Sequence, residues 1–327
     1  MSRASDLWQR ARTLWARIEA PTHRAWWTGP RIAIAAILSL GALYGVADYA
    51  TRPPLLPGHG EAVAAWKPSE AWLYDREGRL LDSARVDFQA RRLAWVPLDK
   101  VAPAAVEALV AAEDKRFRDH DGIDWWSVAG SVRDRIERRR ARGASTLSMQ
   151  VAAYLTPGLA APGSRGLLDK LRQMRAGAAL ERGWSKDQIL EAYLNLAGFR
   201  GEAQGIGAAA LGLFGKTPEA LTRDDGLLLA ALLPNPAAGA GEVSRRACAL
   251  FRASESRDAD CSRFAGAAAS MLGPARSLAL DPGLAPHLSN RLLTQPGLRV
   301  ETTIDTRIQR IAIRALRRQL QGLGGTR

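Results

Sequence analysis

Cysteine is scarce in this sequence, and the two cysteines present do not favour a zinc site. The 327 residues contain only Cys248 and Cys261, with neither a C-x-x-C spacing nor a histidine cluster beside them. If this region lies outside the cytoplasm, the pair can form one local disulfide. Two small buried or unpaired thiols are the alternative.

Lysine is also scarce. Six of the 46 basic residues are lysines, so arginine carries almost all of the formal charge of +13. Arginine binds phosphate through a planar, bidentate guanidinium group. The charge therefore favours a polyanionic partner such as nucleic acid, an anionic lipid or a phosphorylated substrate, although an arginine-biased genome would leave the same composition.

The one long hydrophobic run is residues 32–47, IAIAAILSLGALYGVA. It falls short of the ~20 residues of an ordinary membrane span, but flanking aromatic residues can extend it. Such residues lie towards both ends, as in the interfacial belts of membrane helices: Trp26, Trp27, Tyr44 and Tyr49. The sequence predicts one transmembrane anchor over residues 32–50.

Positive charge dominates the segment before this run, where six arginines precede it against two acidic residues: Arg3, Arg10, Arg12, Arg17, Arg24 and Arg31 against Asp6 and Glu19. The positive-inside rule then predicts a cytoplasmic basic tail over residues 1–31, with everything after residue 50 outside. A cleaved signal peptide is one alternative, but its positive region would be unusually long and no A-x-A site follows closely. A buried helix of a soluble protein is the other.

Beyond the anchor the pattern is mostly helical. Residues 51–70 include a Pro/Gly-rich stretch that predicts a linker, and residues 71–86 alternate around a Glu-Gly turn, which predicts a small hairpin. A strand is predicted over residues 299–305. Residues 90–275 form an all-α globular domain in this interpretation. Apolar periodicity predicts these helices: 103–113, 125–140, 146–155, 167–181, 186–196, 205–214, 227–233 and 306–320.

The densest cluster of polar functional groups is EDKRFRDHDGID, residues 113–124. Glu113 and Asp114 end an alanine-rich helix, where the negative end of the helix dipole and the neighbouring like charge would raise the pKa of Glu113 and make it a better base. Three basic residues act in the opposite direction: Lys115, Arg116 and Arg118. The alternative is a solvated charged turn in which His120 and Asp124 are local hydrogen-bonding partners.

A second cluster, GASTLSMQ, spans residues 143–150. Gly143 permits a tight loop, Ser145 is a natural helix N-cap, and Thr146 and Gln150 share one helix face. The free amides at such a helix start attract anions, including phosphate. An ordinary capped helix is the alternative.

Taken together, these clusters resemble the signatures of glycosyltransferase family 51, the glycan-polymerising domain of class A penicillin-binding proteins. The first cluster resembles E-D-x-x-F-x-x-H-x-G, and the second resembles G-G-S-T-x-x-x-Q. Residues 185–195 (SKDQILEAYLN) and 201–216 (GEAQGIGAAALGLFGK) resemble the later signatures, in the same order. The resemblance covers about residues 70–275.

The resemblance implies an all-α, lysozyme-like glycosyltransferase domain over residues 71–275, with a small N-terminal β-hairpin and one preceding transmembrane helix. Residues 276–327 resemble the linker that starts the transpeptidase region of bifunctional members, most clearly in VETTIDTRIQ, residues 300–309. The S-x-x-K motif of a transpeptidase does not occur after residue 309, so that domain is expected to be absent.

The activity implied is polymerisation of lipid II, with Glu113 as the general base, Asp114 beside it as a second catalytic residue, and release of undecaprenyl pyrophosphate with inversion. The resemblance assigns substrate binding to residues of the first three signatures: Phe117, His120, Ser145, Thr146, Gln150, Lys170, Arg172 and Gln173. Lys170 and Arg172 would stabilise the departing pyrophosphate. A lysozyme-like glycan hydrolase and a catalytically weak scaffold that binds lipid II are the alternatives.

Within the family the chain looks most similar to the penicillin-binding protein 1C type, because Gln173 stands where a second glutamate is usual. Ala144 replaces a glycine, and Ala153 stands where a lysine or arginine usually helps to hold the pyrophosphate. These departures put the rate in doubt. Nearby cations are candidates to compensate: Lys170, Arg172 and Arg175.

The implied partners are lipid II, the nascent glycan strand and the bacterial inner membrane, with the catalytic domain periplasmic; other cell-wall synthases are further candidates, and nucleic acid is not expected. No metal-ligand spacing stands out, so no metal site is predicted, and a divalent cation (Mg²⁺ or Mn²⁺) with the pyrophosphate stays open. A surface that meets the lipid is predicted from apolar candidates, although some of them could instead be core residues: Trp125, Trp126, Leu159, Leu167 and Leu168.

Overall fold

The chain forms two compact units, Met1–Arg52 and Pro53–Arg327. The computed structural model describes residues 22–137, 143–156, 158–159, 166–256, 258–273 and 283–324, with side chains between residues 31 and 321 of those ranges. Residues 1–21 of the predicted basic tail lie outside the described residues.

The first unit contains helix α1, Thr22–Ala50, which begins ten residues before the apolar run predicted from the sequence. Its stretch Arg31–Ala50 is long and apolar enough to cross a membrane, with a mean hydropathy of 1.7, and none of that stretch is buried. A core helix of a soluble protein would be mostly buried. The helix itself is confirmed, and its crossing of a membrane stays a prediction.

The second unit is mostly helical, as predicted. Its helices are α2 (His59–Ala65), α3 (Pro103–Glu113), α4 (Trp125–Ile136), α5 (Leu147–Leu155), α6 (Leu167–Gly183), α7 (Lys186–Leu196), α8 (Ile206–Ala209, continued by a π-turn over Ala210–Phe214), α9 (Arg223–Leu232), α10 (Ala240–Ser254), α11 (Ser262–Met271), α12 (Pro286–Leu292) and α13 (Thr306–Gly324). The predicted helix over 125–140 ends at Ile136; residues 138–142 lie outside the described part of the chain.

Helix α9 lies at the centre of the core and is buried from Asp225 to Leu232. It packs directly on α3, and Gly226 makes that approach possible, because a Cβ there would lie 2.6 Å from the carbonyl oxygen of Ala105. Helix α5 packs on α6 in a similar way, since a Cβ on Gly177 would lie 2.8 Å from Cγ of Met149. These contacts fix the helices that carry the two polar clusters.

Short strands complete the unit: β1 (Glu70–Tyr74), β2 (Leu80–Arg85), β3 (Arg91–Arg92), β4 (Gly198–Arg200), β5 (Ala203–Gln204) and β6 (Arg299–Glu301). Strands β1 and β2 form the predicted antiparallel hairpin. Strand β6 adds to β1 in parallel, giving the order β2-β1-β6, and β3, β5 and β4 form a second three-stranded sheet. The description as all-α with one hairpin is therefore too simple: the exposed edge of β1 needs a pairing partner, and the distant β6 supplies it.

Both segments predicted as linkers contain ordered structure. Helix α2 lies within residues 51–70, and Nε1 of Trp184 donates to the carbonyl of Pro57 at 3.1 Å. At the other end, Thr306 donates to the Asp75 carboxylate next to β1, at 2.5 Å. Pro/Gly-rich composition predicts flexible chain, but these aromatic and polar contacts bind both segments into the second unit.

Cys248 in α10 and Cys261, just before α11, form a disulfide, which is the first of the two alternatives left open by the sequence. It joins two helices that also pack through the rings of Phe251 and Phe264, 5.7 Å apart. The covalent link and the apolar contact therefore hold the same pair of helices.

Replacing Gly226 by alanine should destabilise the second unit by about 1–3 kcal/mol, because the new Cβ forces α9 away from α3. Gly183→Ala is the matched control: it lies in a helix end with nothing within 4 Å of its Cβ, and it should be neutral or slightly stabilising. Urea unfolding followed by circular dichroism measures both. Equal stability of the two variants would contradict the close packing of α3 on α9.

Candidate active site

Glu113 is the last residue of α3, and the packing of that helix brings its carboxylate to the edge of the core. Small and aliphatic side chains of α3 are buried: Ala105, Val106, Ala108 and Leu109. The helix stops at Asp114, whose backbone leaves the helical region with φ −153°. The Glu113 side chain is half-buried, and Nε2 of Gln150 on α5 donates to its Oε2 at 3.3 Å. Two predicted site residues from different clusters meet here.

The environment of Glu113 makes it a stronger base than an exposed glutamate. Burial raises its pKa above the usual range, the hydrogen bond from Gln150 opposes that rise, and the charge of Asp114 adds to it. The sequence reasoning expected the like charge and the helix dipole to raise the pKa. Burial is the larger cause, and it depends on tertiary packing.

Two basic residues that follow Glu113 are engaged by other carboxylates. Nη1 of Arg116 lies 3.6 Å from Oδ1 of Asp124, and Arg118 donates to Asp187 at 2.7 Å. Their charge is therefore partly compensated elsewhere, so they do little to lower the pKa of Glu113.

Asp114 occupies a different environment from its neighbour. It is buried, its Oδ2 accepts the backbone amide of Leu147 at 2.9 Å, and both of its oxygens lie 3.2 Å from Nε2 of His120. These contacts join the end of α3 to the start of α5. The carboxylate predicted as a second catalytic group is thus engaged in holding the loop that follows Glu113.

His120 and Phe117 are buried inside the loop. Nδ1 of His120 accepts the amide of Gly122 at 3.2 Å, so its ring proton lies on Nε2, facing Asp114. The ring of Phe117 is fully buried, with the ammonium of Lys186 4.6 Å from its centroid. Neither side chain is open to a substrate; both shape the loop.

Thr146, and not Ser145, is the N-cap of α5. Its Oγ1 accepts the amide of Met149 at 3.2 Å and donates to the carbonyl of Gly122 at 2.7 Å. The contact to Gly122 selects Thr146 as the cap, and sequence alone does not reveal it. Because Thr146 and Asp114 already bind the amides of Met149 and Leu147, this helix start has fewer free amides for an anion than the sequence predicts.

Ser145 and Lys170 come together at the exposed edge of the site. Nζ of Lys170, on α6, donates to Oγ of Ser145 at 2.6 Å. Partial burial lowers the pKa of Lys170. A cation and a hydroxyl at the mouth of the site are a suitable pair for binding a phosphate oxygen.

Arg172 and Gln173 follow on α6 and face different partners. Nη1 of Arg172 lies 3.4 Å from the carboxylate of Asp169, and Nε2 of Gln173 donates to the carbonyl of Leu159 at 2.8 Å. The structure therefore uses Gln173 to hold the segment after α5, whereas sequence reasoning assigned it to substrate.

A buried polar group beneath the loop was missed by sequence reasoning. Glu181 on α6 accepts hydrogen bonds from Oγ of Ser148 and from Nζ of Lys186, and Lys186 also donates to the carbonyl of His120. Ser148 and Lys186 lie inside the segments 143–150 and 185–195 that resemble the family signatures. Their position in the sequence was the signal that could have indicated this network. Its consequence is that α5, α6 and α7 are tied to the loop that carries His120.

Two tyrosines near Glu113 were also missed. Tyr154 on α5 is partly exposed, and Tyr193 on α7 is fully buried. Burial and then the charge of Glu113 raise the pKa of each hydroxyl. Tyr193 lies inside the quoted segment 185–195, where it has the spacing of an ordinary core residue.

Within the described residues, no group of three or more His, Cys, Asp and Glu side chains is arranged to hold a metal ion. The side chains present offer one half-buried carboxylate of raised pKa, one amide donor to it, and a lysine–serine pair at the edge. Such a set can remove a proton from a hydroxyl and bind an anionic group.

Comparison with known proteins agrees with this chemistry. A family model described as Transglycosylase matches residues 77–254. The biosynthetic peptidoglycan transglycosylase of Rhodospirillum centenum is 46% identical over 145 residues, which cover 43% of this chain and 60% of that protein. The protein of the same name from Aeromonas hydrophila is 38% identical over 165 residues, covering 50% of this chain and 68% of that protein.

The matched stretches leave about a third or more of those relatives unmatched, since they span 60% and 68% of their lengths. A crystal structure of penicillin-binding protein 1A from Haemophilus influenzae aligns with 74% of this chain and 28% of that chain at 16% identity. Its TM-score of 0.34 is too low to establish a shared fold.

Replacing Glu113 by glutamine should stabilise the protein at neutral pH. A carboxyl whose pKa is raised by folding contributes stability below its unfolded pKa and loses it as pH rises through the folded pKa. The variant should therefore melt above the wild type at pH 7, and the difference should close towards pH 4. Glu107→Gln, an exposed change on the same helix, is the control. A difference in melting temperature that does not vary with pH would contradict the raised pKa.

Proposed function

The chain belongs to the transglycosylase family, and we propose from that premise that it is a peptidoglycan glycosyltransferase that polymerises lipid II into glycan strands. The observation that carries the proposal is the half-buried Glu113, which has a raised pKa and accepts a hydrogen bond from Gln150 at the junction of the first two family-like signatures. The name shared by the two curated relatives supports the same activity.

Glu113 acts as the general base in this proposal. Its carboxylate removes the proton from the 4-hydroxyl of the acceptor sugar as that oxygen attacks the anomeric carbon of the growing chain. The bond from the anomeric carbon to the lipid pyrophosphate breaks at the same time, which inverts the configuration. One well-placed base suffices for a single displacement, and a raised pKa increases its basicity.

The leaving group departs as an anion and needs positive charge rather than an acid. Lys170 and Ser145, 2.6 Å apart at the edge of the site, are the proposed contacts for the pyrophosphate. Arg172 is the next cation along α6. With alanine at position 153, this pair takes over a role that a basic side chain has in the family pattern.

A lysozyme-like hydrolase is the second candidate, because a raised pKa also suits a general acid. A retaining hydrolase needs a second carboxylate about 5 Å from the first, and an inverting one needs it further away across the sugar. The adjacent carboxylate, Asp114, is instead buried against Leu147 and His120. Transfer is therefore the better account of this site.

A catalytically weak scaffold that binds lipid II is the third candidate. Ala153 and Gln173 motivate it, since both depart from the family pattern and Gln173 is occupied by the carbonyl of Leu159. We also propose that the chain is of the penicillin-binding protein 1C type and that its second unit has a lysozyme-like fold.

The proposed location is the bacterial inner membrane. Helix α1 would cross it once through Arg31–Ala50, with the arginine-rich N-terminus in the cytoplasm and the second unit in the periplasm. Apolar side chains on α4 and α6 would meet the lipid; their exposed fractions are 65% for Trp125, 74% for Trp126, 79% for Leu167 and 53% for Leu168. Leu159 packs against the core and is not among them. The partners are lipid II and the glycan strand, with other cell-wall synthases as further candidates.

Purified protein should convert labelled lipid II into glycan strands that lysozyme digests. Glu113→Gln should lower the rate by about two to four orders of magnitude, because it removes the base and keeps the side-chain shape. Glu107→Gln should leave the rate unchanged. A wild-type protein that makes no glycan would favour the scaffold, and one that shortens preformed glycan would favour the hydrolase.

Replacing Trp125 and Trp126 by serine should weaken binding to liposomes, since these exposed rings are the proposed lipid contact. Phe88→Ser, which removes another exposed aromatic ring, is the control and should bind as the wild type does. Vesicle co-sedimentation of the second unit measures binding, and circular dichroism verifies folding. Unchanged binding of the double variant would rule out this surface.

A further inference from the structure

Helix α13 is amphipathic, and its apolar face is exposed. Four large aliphatic side chains along it are each more than half exposed: Ile308, Ile311, Leu316 and Leu320. Ala312 and Ala315 lie between them and are exposed as well. The six residues follow the spacing i, i+3, i+4, i+7, i+8 and i+12, so they form one face that covers about half of the helix circumference at 3.6 residues per turn.

The opposite face of α13 carries arginine and no acidic residue. Five exposed arginines lie on it: Arg307, Arg310, Arg314, Arg317 and Arg318. No aspartate or glutamate occurs between residues 306 and 327. Nη2 of Arg307 lies 3.7 Å from Oε1 of Glu77, whereas the other four arginines pair with no carboxylate among the described residues. Their charge is therefore available to an external anion.

The first turn of α13 is bound to the rest of the second unit. Oγ1 of Thr306 donates to the Asp75 carboxylate at 2.5 Å. Nε2 of Gln309 donates to the carbonyl of Leu284 at 2.8 Å. Beyond Gln309, no side chain of α13 forms a hydrogen bond or ion pair with another element in the described part of the chain. The helix is thus fixed at its start, and its apolar face is left open.

The charge and the width of the apolar face distinguish between possible occupants. A second copy of α13 would bring two acid-free rows of arginine close together at the edges of the contact, and like charges oppose such pairing. A coiled-coil partner would need only the narrower a/d stripe. A wide apolar face bordered by basic side chains is instead typical of helices that lie in the surface of a membrane.

Arginine also suits a phospholipid surface through its own chemistry. Its guanidinium group binds phosphate in a bidentate way. The aliphatic part of the side chain can lie along the apolar region while the charged end reaches the headgroups. Each basic residue close to an anionic bilayer strengthens partitioning about fivefold.

We propose that α13 is a separate membrane-contact element that lies flat on a bilayer containing anionic phospholipids. Its aliphatic side chains enter the boundary between headgroups and acyl chains, and its arginines bind the lipid phosphates. The helix has 19 residues, which gives about 28 Å of contact at 1.5 Å per residue. This surface is distinct from the one proposed on α4 and α6, and it requires negative charge in the lipid. The inference does not depend on the catalytic role of Glu113.

The test uses the full chain in proteoliposomes, with a fluorescent label on one introduced cysteine. The two native cysteines are joined in a disulfide, so Leu316→Cys supplies a single reactive thiol on the apolar face. In vesicles that contain phosphatidylglycerol, lipids with a quencher deep in the acyl chain should quench most of the emission. In vesicles of phosphatidylcholine alone, quenching should be weak. Gln321→Cys is the matched control: it lies on the arginine face, keeps every arginine and should be quenched weakly in both.

The arginines should set the affinity of the helix for the bilayer. At the salt concentration that leaves half of the helix bound, Arg314→Gln combined with Arg317→Gln should lower its bound-to-free ratio about 25-fold, at about fivefold per basic residue. Higher salt should release the helix, since salt screens the attraction. Lys100→Gln combined with Arg245→Gln removes the same charge from exposed positions elsewhere and should leave the ratio unchanged. Circular dichroism verifies folding.

An unquenched label at Leu316 in anionic vesicles contradicts the proposal, and cross-linking of Leu316→Cys chains to each other would then assign the face to a second copy. Equal quenching at Leu316 and Gln321, or in neutral and anionic vesicles, would contradict it too. The proposed function is tested separately: in detergent solution, the variant with Arg314→Gln and Arg317→Gln should polymerise lipid II at the wild-type rate.

Discussion

The buried carboxylate of Asp114 makes the contact on which the candidate site depends. It accepts the amide of Leu147 at 2.9 Å and faces Nε2 of His120 at 3.2 Å, so it joins the end of α3, the following loop and the start of α5. Glu113 precedes it directly and meets Gln150 on the same α5. The distance between the Glu113 carboxylate and the Gln150 side chain is thus set by the hydrogen bond between Asp114 and Leu147.

Two adjacent carboxylates have different tasks here because their surroundings differ. The carboxylate of Asp114 is paired with the backbone amide of Leu147 and the imidazole of His120, so it serves as a fixed structural contact. Glu113 is half-buried with one long hydrogen bond, and burial raises its pKa. Catalytic sites commonly contain two neighbouring acids to which different environments give different roles. The buried network of Glu181, Ser148 and Lys186 supports this division from below, by tying α6 and α7 to the loop.

Local sequence predicted what depends on local chemistry. Helices α3 and α7 span the same residues that apolar periodicity predicts, and the β1–β2 hairpin follows its Glu-Gly turn. The transmembrane prediction likewise rests on composition alone, and the structure adds that α1 is a helix with an exposed apolar surface over Arg31–Ala50.

Features that depend on distant contacts could not be predicted. Strand β6 pairs with β1 across more than half of the chain, and Thr146 caps α5 because its hydroxyl is held by the carbonyl of Gly122. Gln173 contacts the carbonyl of Leu159, which no motif indicates. The sign of the pKa shift at Glu113 depends on burial, and burial is a property of the packed helices.

Hydrogen exchange at the backbone amide of Leu147 tests the central claim most directly. With Asp114 as its acceptor, this amide should exchange slowly in the wild type and rapidly in Asp114→Ala, and the variant should lose polymerising activity while α9 stays protected. Equal exchange at Leu147 in both proteins would show that Asp114 does not hold α5 to the loop. The position of Glu113 would then need another explanation.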